Sequence, residues 1–302
     1  MITFTTSQYD IMSKIFKCES KDIIICNDAT GGMTNNSVVV SANNEKYIVR
    51  LPGEGSDKLV NRAKECAVYN FLRKLDYDNI TLYCNDEGFK ISKYIRNART
   101  ANPYNKADVV ASMQALKAFH NRDFITDMFD FNLEQKLVEY ENLAGIKLES
   151  MAPAYMNVRN RCMRILSWIN TLTKKYCLCH IDCNPDNVIF QRKDTKPILI
   201  DWEYASMQDP DLDIAMWATY CHYDLSMFNR LLTAYFGCSL DNTTKFKIYG
   251  YAAFAGLLWW VWCEYKKQLG VTYGNYQNEQ FDTADKYSKL VETYLNYTKK
   301  DA

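Results

Sequence analysis

The chain has 302 residues, 48% hydrophobic and 24% charged, which is an ordinary composition for a soluble globular protein and long enough for one large domain or two lobes. Lys and Arg together number 36 and so do Asp and Glu, so the formal net charge is zero and the basic excess of a nucleic-acid binder is missing. The longest apolar run, at residues 251–263, is too short and too rich in Trp for a bilayer span, the opening ten residues are too polar for a secretory signal, and eleven scattered Cys suit free thiols in a reducing compartment; the expectation is a cytoplasmic protein with no nucleic acid partner and no membrane insertion.

Taken in chain order, residues 1–20 predict an arm or short helix with Ile11, Ile15 and Phe16 on one face. Strands are predicted at 23–26, 37–41 and 46–51, with a turn rich in Gly, Thr and Asn over 29–36. Alone, Gly31-Gly32 in that turn means only a hairpin. A loop at 52–56 leads into a helix over 57–75, with Ala63, Ala67, Val68, Phe71, Leu72 and Leu75 at helical spacing. Glu65 lies on this helix, where a solvated charged face with Arg62 and Lys64 is one reading. A second hairpin pairs 82–84 with 89–92, and its second strand runs on into Lys93-Tyr94-Ile95. From Arg96 onward the pattern is helical. A helix over 106–120 turns Val109, Val110, Met113, Leu116 and Phe119 inward, with His120 as a capping or packing residue. Helices follow at 131–150 and 155–175, separated by a turn at Ala152-Pro153.

The most informative stretch comes next. Cys179-His180-Ile181-Asp182-Cys183-Asn184-Pro185-Asp186-Asn187 is followed by Ile198-Leu199-Ile200 and then Asp201-Trp202-Glu203-Tyr204. Phosphoryl transfer needs a carboxylate beside the acceptor hydroxyl and oxygen ligands for the Mg²⁺ on the phosphates. Asp182, Asn187 and Asp201 are residues of those types. Singly, Asp182, Asp186 and Asn187 are explained as turn formers around Pro185; the whole pattern, ending on an apolar strand, is far more specific. Cys177, Cys179, His180 and Cys183 lie close together, but no second cluster has ligand spacing, so zinc is not expected. Asp213 reads as an acid at a helix N-terminus. Trp259 and Trp262 share one helix face, and periodicity alone assigns such rings to a core.

His-x-Asp in place of His-Arg-Asp, and Asp-Trp-Glu in place of Asp-Phe-Gly, resemble the aminoglycoside phosphotransferase and choline kinase branch of the kinase superfamily. The resemblance to choline kinases runs nearly end to end, through Gly-Gly-Met-Thr-Asn from Gly31, Val-Arg-Leu around Arg50, Cys-His-Ile-Asp to Asp182, Asp-Trp-Glu-Tyr from Asp201 and Leu-Leu-Trp-x-x-Trp to Trp262. It is strongest to the bacterial, LicA-type branch. The fold it implies is α+β, protein kinase-like and two-lobed. An antiparallel, nucleotide-binding lobe with one helix would occupy residues 1–94, and a mainly helical catalytic and acceptor-binding lobe residues 95–302. The resemblance also implies ATP as co-substrate and Mg²⁺ held by Asn187 and Asp201, with Asp182 as the catalytic base. Gly31, Gly32, Thr34 and Asn35 would cover the phosphates. Arg50 stands where protein kinases carry their phosphate-contacting Lys, with Glu65 as its partner. Lys93 and Ile95 fall at the hinge that meets adenine, and Asp213 would hydrogen-bond the catalytic loop.

The acceptor implied is choline. A quaternary ammonium donates no hydrogen bond, so it is recognised by shape, by ring faces and by carboxylates. Trp259, Trp262, Glu203 and Tyr204 would supply these. Eukaryotic choline kinases carry an acid where this chain has Tyr220, so the pocket is expected to lean on rings, with Tyr220 or Tyr223 contributing. Ethanolamine, thiamine or an aminoglycoside are the alternative acceptors, the last disfavoured because carboxylates are not clustered in the tail. A non-catalytic nucleotide-binding protein is disfavoured by the complete Asp182, Asn187 and Asp201 set. Oligomeric state stays open.

Overall fold

A computed structural model of the chain describes residues 3–31, 33–122, 124, 130–191 and 196–298, with the backbone alone over 27–31. Gly32, one of the expected phosphate contacts, lies outside the described residues. The chain divides into two compact units, Met1–Asn97 and Ala98–Ala302.

The first unit opens with α1 (Thr6–Phe16), started by a capping box in which the Thr5 hydroxyl accepts from the Gln8 N–H while the Gln8 side chain accepts from the Thr5 N–H. Five strands follow among the described residues: β1 (Ile24–Gly31), β2 (Asn35–Ala42), β3 (Glu45–Pro52) and, after α2 (Arg62–Lys74), β4 (Thr81–Cys84) and β5 (Lys90–Lys93). They form one antiparallel sheet in the order β1-β2-β3-β5-β4. Met12 and Phe16 of α1 pack on its apolar face, against Val38, Val40, Val49, Phe89 and Ile91. Of the expected face of Ile11, Ile15 and Phe16, only Phe16 is buried; Met12 joins it, and Ile11 and Ile15 pack at the margin.

Two boundaries in this unit differ most from the sequence expectation, and in the second unit the helix expected over 131–150 stops at Leu143. β1 and β2 extend into the expected 29–36 turn, so that Gly31 pairs with Asn36 and the turn is tight. α2 begins at Arg62 rather than Asp57, because the Asn61 side chain accepts from the Lys64 N–H and fixes the helix start there.

The second unit is mainly helical. Its elements are β6 (Ala98–Thr100), α3 (Lys106–His120), α4 (Leu133–Leu143), α5 (Pro153–Thr171), β7 (Cys177–Cys179), β8 (Val188–Gln191), β9 (Ile198–Leu199), β10 (Ser206–Gln208), α6 (Asp211–Tyr220), α7 (Leu225–Phe236), α8 (Asn242–Gln268) and α9 (Tyr276–Thr298). Pro153, expected in a turn, is the first residue of α5, where its fixed φ and missing N–H cost nothing. Two small sheets, β6-β8-β9 and β10-β7, anchor the ends of the 180–187 loop, since β7 enters it and β8 leaves it.

α8 is the central beam of this unit, packed by α4, α5, α6 and α9 and buried nearly all round. That explains its continuous apolar character; none of the described helices is long and apolar enough to cross a membrane. A Cβ at Gly256 would sit 2.7 Å from the Gln280 carbonyl oxygen and 2.9 Å from the Ala284 nitrogen. α8 and α9 therefore meet backbone to backbone. Gly256→Ala is expected to lower unfolding stability by about 1–3 kcal/mol in urea titrations, and an unchanged midpoint would contradict this close approach.

Candidate active site

In the first unit, β3 carries Arg50 near its end and α2 presents Glu65 to it. Arg50 Nη1 lies 2.6 Å from Glu65 Oε1 and Nη2 lies 2.8 Å from Oε2, a two-pronged pair. Both side chains are buried, at 4% and 2% exposure. Burial pushes the Glu65 carboxyl up, but the Arg50 guanidinium, aided by Lys90 and Arg62, holds it below its ordinary value.

The solvated charged face that Glu65 could have shared with Arg62 is not what forms. Arg62 is buried, and donates to Glu65 Oε2 at 2.8 Å, to Asn35 Oδ1 at 2.7 Å and to Ser56 Oγ at 3.0 Å. It thereby ties the first residue after the glycine turn to the acid that grips Arg50. The Thr34 carbonyl accepts from the Gly53 N–H at 3.2 Å, which closes the turn onto the end of β3. Lys90 Nζ donates to the Tyr69 hydroxyl at 2.6 Å. Arg50, Arg62, Lys90 and Glu65 together carry a net positive charge, suited to an anion. Lys93 ends β5 with its side chain exposed and its N–H on the Ile80 carbonyl, and Ile95 follows half-buried.

In the second unit the 180–187 loop is set by one acid. Asp213, fully buried in the first turn of α6, accepts the His180 N–H and the Ile181 N–H, each at 2.7 Å. The His120 Nε2 approaches the same carboxylate at 3.0 Å, and the His120 Nδ1 meets the Tyr235 hydroxyl at 2.7 Å. His120 is thus a packing residue that braces Asp213. Ile181 has φ +69°, a region that a β-branched residue avoids. The two bonds to Asp213 hold it there and set the direction of Asp182. His180 is buried, which pushes its pKa down, and its neutral ring donates from Nε2 to the Ile200 carbonyl at 2.7 Å. This bond links the loop to the residue before Asp201, whose own φ is +66°, a conformation Asp tolerates.

The loop's polar side chains converge. Asn184 accepts the N–H groups of Asp186 and Asn187, and its amide donates to Asp182 Oδ1 at 3.0 Å. The Asn187 amide donates to Asp182 Oδ2 at 2.9 Å, which turns its carbonyl oxygen away from Asp182. Burial first, then the charges of Asp201 and Glu203, push the Asp182 carboxyl well above the usual carboxylate range. This is a concentration of hard oxygen donors and negative charge, a donor set that fits a divalent cation such as Mg²⁺.

Aromatic rings border these acids. Trp259 of α8 meets Tyr204 edge to face at 6.0 Å and Trp262 at 6.3 Å. Trp262 stacks on Tyr273 at 5.3 Å, and Lys266 Nζ lies 5.8 Å from its ring centre. Trp260 turns the other way, onto Tyr155 and Phe281. Burial, with the charges of Glu203 and Asp182 adding, pushes the Tyr204 phenol well up. Tyr220 donates to Asp186 and contacts the ring of Tyr276 at 6.0 Å. Tyr276 is raised by burial above all, with the Asp182 charge contributing. Tyr223 is placed otherwise: its hydroxyl donates to the Pro103 carbonyl, and its own carbonyl accepts from Tyr287 at 2.6 Å. It fastens the end of α6 to α9.

Tyr140 of α4 is fully buried beside Tyr204, and burial pushes its phenol up. Sequence reasoning missed Arg62, Tyr140, Tyr273 and Tyr276. The first looks like any charged residue at a helix start. The Tyr residues come from α4, from the segment between α8 and α9, and from the start of α9, with no motif around them.

Comparison with known proteins points one way. The family model described as Choline/ethanolamine kinase matches residues 26–243. Protein LicA of Haemophilus influenzae is 26% identical over 275 residues, covering 85% of this chain and 78% of that protein. The crystal structure of choline kinase LicA from Streptococcus pneumoniae superposes with a TM-score of 0.77 at 26% identity, covering 94% of this chain and 99% of that one. A structure of LicA in complex with AMP gives a TM-score of 0.77 at 26% identity, over 95% and 100% of the two chains.

The hold of Asp213 on the loop is open to a direct check. Asp213→Ala leaves two buried N–H groups without an acceptor, each worth about 1–3 kcal/mol. The variant is expected to lose about 2–5 kcal/mol in chemical unfolding; a loss below about 1 kcal/mol would show that the loop is held by other means.

Proposed function

The chain belongs to the choline/ethanolamine kinase family, and from that premise we propose that it transfers the γ-phosphate of ATP to the hydroxyl of choline, giving phosphocholine, in the cytoplasm. The observation that carries the choice of choline is the ring set of Tyr204, Trp259 and Trp262 beside the acids Glu203 and Asp182. A trimethylammonium group gains from ring faces and nearby carboxylates, and it demands no hydrogen-bond acceptor. Of the two Trp, Trp262 is already stacked on Tyr273, so Trp259 is the ring that meets the cation and Trp262 supports it.

In this reading Asp182 receives the choline hydroxyl proton at its carboxylate as the oxygen attacks phosphorus. The crowding that raises its affinity for a proton strengthens it as a base once ionised. Asn187 and Asn184 orient that carboxylate through their amides. The Asn187 carbonyl oxygen and the Asp201 carboxylate would hold Mg²⁺, which would supply charge neutralisation to the transferring phosphate. Arg50, fixed by Glu65, contacts the phosphates through its guanidinium, and the Gly31, Thr34 and Asn35 turn covers them with backbone N–H groups. The backbone near Lys93 and Ile95 meets adenine.

A coupled ADP-release assay across choline, ethanolamine, thiamine and kanamycin is expected to show saturation at the lowest concentration with choline; a preference for a primary amine would replace choline by ethanolamine in this account. Asp182→Asn is expected to lower kcat by about 10²–10⁴-fold while the unfolding midpoint holds; undiminished turnover would remove Asp182 from the chemistry. Trp259→Ala is expected to raise the choline KM by about 10-fold or more, the worth of a desolvated cation–π contact, with the ATP KM nearly constant. If the choline KM does not move, Trp259 is a core residue and not part of the cage.

A further inference from the structure

Outside the residues assigned above, one side-chain pair stands out in the first unit. Cys66 on α2 and Cys84 at the end of β4 bring their Sγ atoms to 3.0 Å, closer than unbonded sulfurs ordinarily pack. The approach is built rather than incidental. The Cys66 thiol donates to the Cys84 carbonyl at 3.2 Å, the Cys84 thiol approaches the Cys66 carbonyl at 3.8 Å, and the Asn70 amide reaches Cys66 Sγ at 3.7 Å. Both cysteines are free and half-buried, so small reagents can reach them. The other vicinal thiols, Cys177 and Cys179, lie 3.9 Å apart on a single strand and are fully buried.

We propose that Cys66 and Cys84 are a redox modification site: a reversible disulfide between them staples α2 to β4 next to the Glu65–Arg50 pair. The oxidant class is a small-molecule disulfide of the glutathione type. The Cys66 thiol loses its proton to solvent, and its sulfur attacks the reagent, forming a mixed disulfide and expelling one small thiolate. The Cys84 thiol then loses its proton, and its sulfur attacks the Cys66 sulfur, expelling the second. Two protein thiols become one disulfide, two electrons pass to the reagent, and two small thiols leave. Burial, with Cys66 adding, pushes the Cys84 thiol up, so the closing step is slow at neutral pH and quickens as pH rises. Transient, sensing disulfides of this kind are the ones that occur in reducing compartments.

The consequence follows from sequence adjacency. Glu65 precedes Cys66 directly on α2. Closing the bond draws the two sulfurs to about 2.05 Å, a movement of roughly an ångström imposed one residue from the acid that fixes Arg50. Oxidation is therefore expected to raise the ATP KM several-fold. That effect rests on the kinase reading above; formation of the bond does not.

The test treats the full chain with oxidised glutathione, alkylates remaining thiols and maps the peptides. The expected result is a Cys66–Cys84 linked peptide pair that dithiothreitol reverses and that Cys66→Ser and Cys84→Ser both abolish. Recovery of both cysteines alkylated, under conditions that modify the exposed Cys238, would overturn the proposal, as would linkage of either to a different cysteine. In parallel, the ATP KM should rise on oxidation of the wild type and stay constant in oxidant-treated Cys84→Ser; a constant KM in fully linked wild type would overturn the coupling to Glu65. If the reduced protein phosphorylates nothing, the kinase reading fails while the peptide map still decides the disulfide.

Discussion

A single buried carboxylate sets the geometry on which the 180–187 loop depends. Asp213 gathers the N–H groups of His180 and Ile181 and the imidazole of His120, and so repays the cost of its own burial with charge-assisted bonds. Those bonds hold Ile181 at a positive φ that its branched side chain disfavours. Strain kept in place by so short a bond network is a way of fixing direction: the next residue is Asp182, and it is turned onto the amides of Asn184 and Asn187. α6, α3 and α7, through Asp213, His120 and Tyr235, thus serve as the frame for a single turn of chain.

Each unit concentrates one sign of charge. In the first, Arg50, Arg62 and Lys90 surround Glu65. In the second, Asp182, Asp201 and Glu203 crowd until Asp182 is pushed well above its ordinary range. Buried groups of like sign are costly to a folded chain in isolation. In the proposed function, phosphate oxygens would offset the first, and a divalent cation and an ammonium the second. Stability given up in the free protein in this way is available as differential binding during transfer.

Much of this was legible in the sequence, and the reason is distance along the chain. Asp182, Asn184 and Asn187 belong to one turn, so their spacing states their geometry, and their mutual hydrogen bonds follow. The resemblance to kinases anticipated the Arg50–Glu65 pair, and it forms because β3 and α2 are neighbours in both sequence and space. Helix starts were less legible: Asn61 caps α2, and Pro153 opens α5 as its first helical residue rather than sitting in a turn. Least legible were roles decided by long-range packing. Arg62 looked like surface and proved to be a buried bridge. Tyr140, Tyr273 and Tyr276 arrive from three separate segments, and Tyr223, beside Tyr220 in sequence, is spent on fastening helices. Periodicity also could not divide the three Trp of α8, which the structure does: Trp260 faces Tyr155 and Phe281, whereas Trp259 and Trp262 join the rings beside the acids.

In the proposed function, the acids of the loop held by Asp213 and the rings on α8 act on one small molecule that carries both a hydroxyl and a permanent cation. Phosphorus NMR of a reaction containing the protein, ATP, Mg²⁺ and choline tests this most directly. The expected result is a phosphomonoester resonance of phosphocholine that grows as the γ-phosphate of ATP declines, and only when choline is present. Release of inorganic phosphate without that ester, or no change in ATP at all, would contradict it.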